Sequence, residues 1–215
     1  MLKKYIPIHS EGWRMILLFS CVTIFLGIFS GALALIGAVV TVWCIYFFRD
    51  PKRTPPQNDG FLISPADGKI LPIRKMIPPP ELGLSKKRYF RVSIFMNIFD
   101  VHVNRIPCDG VVSKLYYHPG KFFNASFDKA SVHNERMAIK ITMRSVQSIG
   151  VVQIAGLIAR RICCDLKEKK HVRSGDRFGI IKFGSRVDLY FSDQFKLTIV
   201  EGQKVLAGKT IIARL

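Results

Sequence analysis

Acidic residues are scarce in this chain of 215 residues: 15 Asp and Glu stand against 33 Lys and Arg, a net charge of +18. An excess of that size draws a protein toward polyanions, nucleic acid or an anionic bilayer, without choosing between them. Cysteine is also sparse. Cys21, Cys44, Cys108, Cys163 and Cys164 are odd in number and show no CxxC spacing. That excludes a disulfide framework and a cysteine-based zinc site, and points to reduced thiols. No G-x-G-x-x-G, P-loop or zinc motif occurs, and no internal repeat, so cofactor binding by those routes is excluded. With 49% hydrophobic residues the chain is not disordered, and its length suits one folded domain with a short appendage.

What is present first is a long apolar run. The 34 residues from Met15 to Phe48 carry no charge. A signal peptide would have an apolar region of only about 7 to 15 residues. A single straight helix of this length would extend about 51 Å, against a bilayer core of about 30 Å. Gly27, Ser30 and Gly31 lie near the middle and predict a turn, hence a hydrophobic helical hairpin. Lys3, Lys4 and Arg14 precede the run and Arg49, Lys52 and Arg53 follow it, which places both ends in the cytoplasm. Trp13, Trp43 and Tyr46 suit an interfacial belt. The plainer reading is a buried hairpin of a soluble protein.

Turn formers from Pro51 to Gly60 mark a boundary, so residues 1–50 are read as a membrane-associated segment and 51–215 as a second domain. The first 50 residues carry a net +2, leaving +16 on the second domain. Beside a hydrophobic anchor, that charge favours anionic lipid headgroups over nucleic acid. Runs rich in β-branched and aromatic residues recur at 69–73, 91–96, 110–116, 137–142, 150–154, 180–183, 186–191, 195–200 and 210–213. The expected fold is therefore mainly β, a sandwich-like or barrel-like catalytic domain with few short helices, preceded by the hairpin.

Three places carry side chains able to do chemistry: Pro65-Ala-Asp-Gly68, Asp100-Val-His-Val-Asn-Arg-Ile-Pro107 and Phe183-Gly-Ser-Arg186. Singly each has a plain structural reading. Asp-Gly is a common turn pair, a lone histidine is often a satisfied structural one, and Gly184-Ser185 can be a bulge. In this order, and with Tyr46-Phe-Phe-Arg-Asp-Pro-Lys-Arg53, Tyr117-His-Pro-Gly-Lys-Phe-Phe-Asn-Ala125, Asp128-Lys-Ala-Ser131, Asn134-Glu-Arg136, Gln153-Ile-Ala-Gly156, Ala159-Arg-Arg-Ile162 and Gly175-Asp-Arg-Phe-Gly179, the chain resembles the phosphatidylserine decarboxylases in their short form.

The resemblance implies a proenzyme that cuts itself between Gly184 and Ser185, turning Ser185 into a covalent pyruvoyl group. That group would form a Schiff base with phosphatidylserine and support its decarboxylation to phosphatidylethanolamine, with no metal and no pyridoxal phosphate. Asp67 matches the family aspartate that assists cleavage, and His102 the histidine of turnover. Longer members read Asp-x-His-x-x-His, whereas Arg105 stands at the second histidine position here. Arginine cannot act as a base at physiological pH. Either His102 covers both roles, the favoured reading, or Asp67 and a water suffice, or His118 or His133 is recruited. Implied partners are phosphatidylserine, anionic membrane lipids and the two cleavage fragments as a heterodimer, with a higher homo-oligomer left open and no nucleic acid; the implied location is the cytoplasmic face of the cell membrane. The competing class is a non-enzymatic, membrane-anchored β-domain that binds anionic lipid.

Overall fold

Ser30 breaks the apolar run into two helices, α1 (Gly12–Phe29) and α2 (Gly31–Phe47). The computed structural model describes residues 7–125, 133–145, 147–156, 161–182 and 185–215. It divides into two units, Met1–Lys52 and Arg53–Leu215, two residues beyond the expected boundary. At the break Ser30 is extended, and its hydroxyl accepts the N–H of Ala32 at 3.2 Å, an N-cap that starts α2. The expected turn is there. Between the helices the Thr23 and Thr41 hydroxyls lie 3.0 Å apart, and each also donates to the carbonyl four residues back, so neither is stranded in an apolar setting. The ends of the hairpin are joined by His9 N–H to the Phe48 carbonyl at 2.9 Å and Asp50 N–H to the Pro7 carbonyl at 2.7 Å. Gly12 permits this closure, since a Cβ there would stand 2.5 Å from that of Phe48.

Within this unit Leu17, Ile24, Phe25, Ile28, Leu35, Val39 and Val42 are more than half exposed. The α1 helix is long and apolar enough to cross a membrane, and α2, with 17 residues, is a little shorter.

The second unit is built from short antiparallel strands: β1 (Phe61–Ile63), β2 (Gly68–Ile70), β3 (Arg74–Met76), β4 (Tyr89–Met96), β5 (Val103–Arg105), β6 (Gly110–His118), β7 (Arg136–Thr142), β8 (Ser148–Ile154), β9 (Ile162–Cys164), β10 (His171–Val172), β11 (Arg177–Ile181), β12 (Ser185–Phe191), β13 (Lys196–Leu197), β14 (Lys204–Val205) and β15 (Ile211–Arg214). The main sheet runs β10-β6-β7-β8-β12-β4-β2-β14, with β3 also on β4; two smaller sheets run β1-β15-β13 and β5-β11-β9. Described helical positions are the 3₁₀ turn Pro80–Leu82 and His133, in line with the expected β-rich class. The longer expected strands are found. The run at 195–200 shrinks to Lys196–Leu197, and the short strands β1, β3, β5, β9, β10 and β14 were not read, because two or three residues carry too little alternation to register.

β12 is the axis of the fold. It pairs with β4 on one side and β8 on the other, and all seven of its residues are buried. Val187, Leu189 and Phe191 join a core shared with Val92, Ile94 and Met96 of β4, while Tyr190 on the opposite face packs with Leu82, Val152 and Ile154. The 3₁₀ turn covering that opposite face is tied down by Glu81, whose carboxylate contacts the Arg136 guanidinium and lies 3.8 Å from Nδ1 of His118.

Burial pushes the Glu81 carboxyl up, but the hydrogen bond and positive charge of Arg136 outweigh it and hold the group below its ordinary value. A carboxylate stabilised in this way contributes fully above its unfolded pKa of about 4.3 and loses that contribution as pH falls through the lower folded value. E81Q is therefore expected to lower the melting temperature at pH 7 and to flatten its fall on the acid side. Parallel acid-side melting curves for wild type and variant would contradict this.

Candidate active site around Ser185

Alternation along β12 sends Ser185 to the same face as Val187 and Leu189, into the main apolar core, and Arg186 to the other face with Asp188. Both outcomes need partners. Arg186 is met by Asp188 two residues on: Nε donates to Oδ1 at 2.6 Å and Nη2 to Oδ2 at 2.7 Å, a bidentate pair with both side chains fully buried. Nη1 reaches the Ala125 carbonyl at 3.4 Å.

Ser185 is wholly buried, and its hydroxyl donates to the thioether of Met96, directly across the ladder, at 3.9 Å. The same sulfur receives Nδ2 of Asn104 at 3.6 Å, and Asn104 Oδ1 accepts Nε2 of Gln153 at 2.8 Å. Gly184, the other half of the expected scissile pair, lies outside the described residues, as does Asp128-Lys-Ala-Ser131.

The segments that carry the three expected catalytic positions adjoin the end of β4, where Ser185 pairs with Met96. Gly68, next to Asp67, sits against it so closely that a Cβ would stand 2.1 Å from the Phe95 carbonyl oxygen, and only glycine fits. Asp67 immediately precedes β2, whose first residue, Gly68, lies against the Phe95–Met96 backbone. The turn Asn97–Asp100, closed by Asp100 N–H to the Asn97 carbonyl at 3.0 Å, leads from Met96 to His102. His102 is buried completely, and its Nδ1 lies 3.0 Å from the Asp100 carbonyl. A carbonyl only accepts, so Nδ1 carries the proton in that bond.

Asp67, however, is not bonded to Ser185. Its carboxylate takes a bidentate contact from Arg53, with Nη2 to Oδ2 at 2.7 Å, and Oδ1 accepts the Ala207 N–H at 2.7 Å. Arg53 completes the grip by donating to the Ala207 carbonyl at 2.7 Å. A cavity of about 490 Å³ lined by Pro55, Asn58, Asp109, Arg173 and Asp176 includes none of the three residues.

The family model described as phosphatidylserine decarboxylase matches residues 40–213. Proteins named phosphatidylserine decarboxylase proenzyme from Rickettsia rickettsii, Rickettsia felis and Rickettsia typhi are each 53% identical to this chain over 206 residues, 96% of its length and 89% of theirs. The chain belongs to the phosphatidylserine decarboxylase family. With that membership it is an enzyme of the decarboxylase class, and the non-enzymatic reading falls away.

Within this decarboxylase, Arg105 has a fixed place: it is buried, and its Nη1 donates to the Gly175 carbonyl at 2.9 Å, tying β5 to the turn before β11. His118 is remote from Ser185. It pairs with Arg136, Arg136 with Ile154 and Ile154 with Arg186, three strand spacings or about 14 Å. His133 stacks edge-on against Phe123. Sequence reading missed Met96, Asn104, Gln153, Asp188 and the grip of Arg53 on Asp67. Asn104, Gln153 and Arg53 stood inside the ordered motifs without a role of their own, and Asp188 left the signal of a charge two residues from Arg186 in an otherwise apolar strand.

Replacing Asp188 by leucine removes the carboxylate that neutralises the buried Arg186 and is expected to destabilise the decarboxylase by about 3–5 kcal/mol, whereas R186M/D188L, which removes both charges, recovers most of the loss. Urea unfolding of the two variants beside wild type checks this; equal stability of single and double variants would refute it.

Proposed function

We propose that this chain matures by cutting itself between Gly184 and Ser185, and that through a pyruvoyl group derived from Ser185 it converts phosphatidylserine to phosphatidylethanolamine at the cytoplasmic face of a cell membrane. The observation that carries the reading is the placement of Ser185: first residue of the central strand, hydroxyl turned into the core, wholly shielded from water. An intramolecular attack needs no opening to solvent. The serine oxygen bonds to the Gly184 carbonyl carbon, the Gly184–Ser185 C–N bond breaks, and the hydroxyl proton ends on the freed nitrogen. Loss of the Ser185 α-proton then expels the Gly184 carboxylate. A water molecule adds to the resulting alkene–amine and ammonia leaves, completing the ketone.

The residues present fit that group. Among the described residues the side chain of Ser185 has a thioether as its hydrogen-bond partner, so no strong acceptor there competes for its proton. When formed, the group supplies a sink for the electrons left as carbon dioxide departs. His102, two residues before Asn104 and buried, is the proposed proton donor in turnover, and Asp67 the proposed aid to cleavage.

Cutting would leave pieces of 184 and 31 residues. Their association as a heterodimer is supported by the ladders: β12 is held by β4 and β8, β14 by β2 and β15 by β1. The Asp67–Arg53 grip on the Ala207 peptide adds a polar clamp across the same two pieces. Anionic lipids are the proposed partners of the +16 second domain, and the hairpin the proposed anchor. Acyl chains leave a bilayer at about 0.8 kcal/mol per CH₂, so the enzyme must come to the headgroup.

Gel and intact-mass analysis of wild type is expected to show the two pieces, with S185A remaining one chain. Full-length wild type that still releases carbon dioxide from phosphatidylserine would overturn the mechanism. Removal of residues 1–50 is expected to reduce activity on phosphatidylserine vesicles far more than on a short-chain soluble analogue; equal losses would make the hairpin part of the folded core instead of an anchor.

A further inference from the structure

Met96, Asn104, Gln153 and Ser185 are all inaccessible to solvent and surrounded by the main apolar core. Two primary amides there require explanation, since an aliphatic pair of similar shape would pack without desolvating polar atoms. Among the described residues the Gln153 Oε1 even lacks a hydrogen-bond partner. Met96 is on β4 opposite Ser185 and Gln153 on β8 opposite Val187, so two strand spacings and a two-residue offset set them about 12 Å apart. The Asn104 carboxamide, arriving from β5, reaches both: Nδ2 to the sulfur, Oδ1 from the glutamine. It therefore bridges over β12 on the face that Ser185 and Val187 share.

We propose that Asn104, braced by Gln153, is a positioning residue for Ser185 and acts through the sulfur of Met96, an inference that rests on the self-cleavage reading above. Methionine is flexible and its sulfur a weak acceptor. Unrestrained, it would leave the serine hydroxyl free to turn among three rotamers. Pinned by an amide N–H, it holds the hydroxyl in one orientation, yet so weakly that the proton can still leave when the oxygen attacks the Gly184 carbonyl carbon. The polar bridge sets geometry at the expense of stability.

The test follows conversion of full-length chain to fragments after cell-free synthesis, by gel, together with melting temperature, in N104A, M96L, the double variant and V152A. M96L keeps the core volume and carries the test even if N104A folds poorly. Val152 is buried on the opposite face and serves as the control for lost packing. N104A and M96L are each expected to slow cutting about tenfold, the double variant no further than the slower single one, and V152A not at all despite a lower melting temperature. Wild-type rates in both single variants, multiplicative slowing in the double variant, or equal slowing in V152A would overturn the inference while leaving self-cleavage intact. A wild type that stays uncut overturns the processing reading itself and this inference with it.

Discussion

A strand hydrogen-bonded on both edges and covered on both faces has no solvent to turn to, and β12 is such a strand. Every polar atom on it must be satisfied by the protein. On one face the requirement is met by the Arg186–Asp188 pair, two opposite charges at the i, i+2 spacing that a pleated strand places side by side. On the other the serine hydroxyl donates to a sulfur, a weak acceptor. The two faces thus differ: one carries a strong, closed ion pair that holds the strand, the other a weakly held hydroxyl, the one proposed to carry the chemistry.

The same constraint bears on what a cut at the head of β12 would do. Ladder bonds to β4 and β8 do not depend on the peptide bond that precedes Ser185, so the proposed scission would remove a covalent link where pairing is densest. Asp67 fits this picture in two capacities. It is the residue proposed to assist cleavage, and it anchors Arg53 and the Ala207 peptide, which lies between β14 and β15. An ion pair with little exposure is sensitive to loss of either partner, so Asp67 has a structural role independent of any catalytic one.

The two units meet the solvent differently. The second hides its charge pairs and apolar strands inside a sheet-based core and carries the basic excess outward. The first turns large apolar side chains outward on both helices, while the polar contacts within the helical arms, Thr23 with Thr41 and the Ser30 cap, lie between the helices or at the turn. An aqueous surface of that kind is unfavourable in proportion to its apolar area, which is the physical support for lipid as its proposed surroundings.

Much was legible in the sequence because it depends on local pattern. The uncharged run with Ser30 at its middle determined a helical hairpin, since nothing polar interrupts either arm, and β-branched runs between turn formers determined the longer strands. Ordered motifs singled out Asp67, His102, Ser185 and the gap at Arg105. Short strands such as Val103–Arg105 were not legible, because three residues, two of them polar, become a strand only when β11 supplies their pairing. Nor could the sequence say that residues 53, 67 and 207 form one clamp, or that Met96, Asn104, Gln153 and Ser185 form one buried chain of contacts. Most of those partners lie from 14 to 154 positions apart, and their meeting was decided only by the tertiary structure, because strand pairing and register, not any local preference, determine which distant side chains face each other across a closed core.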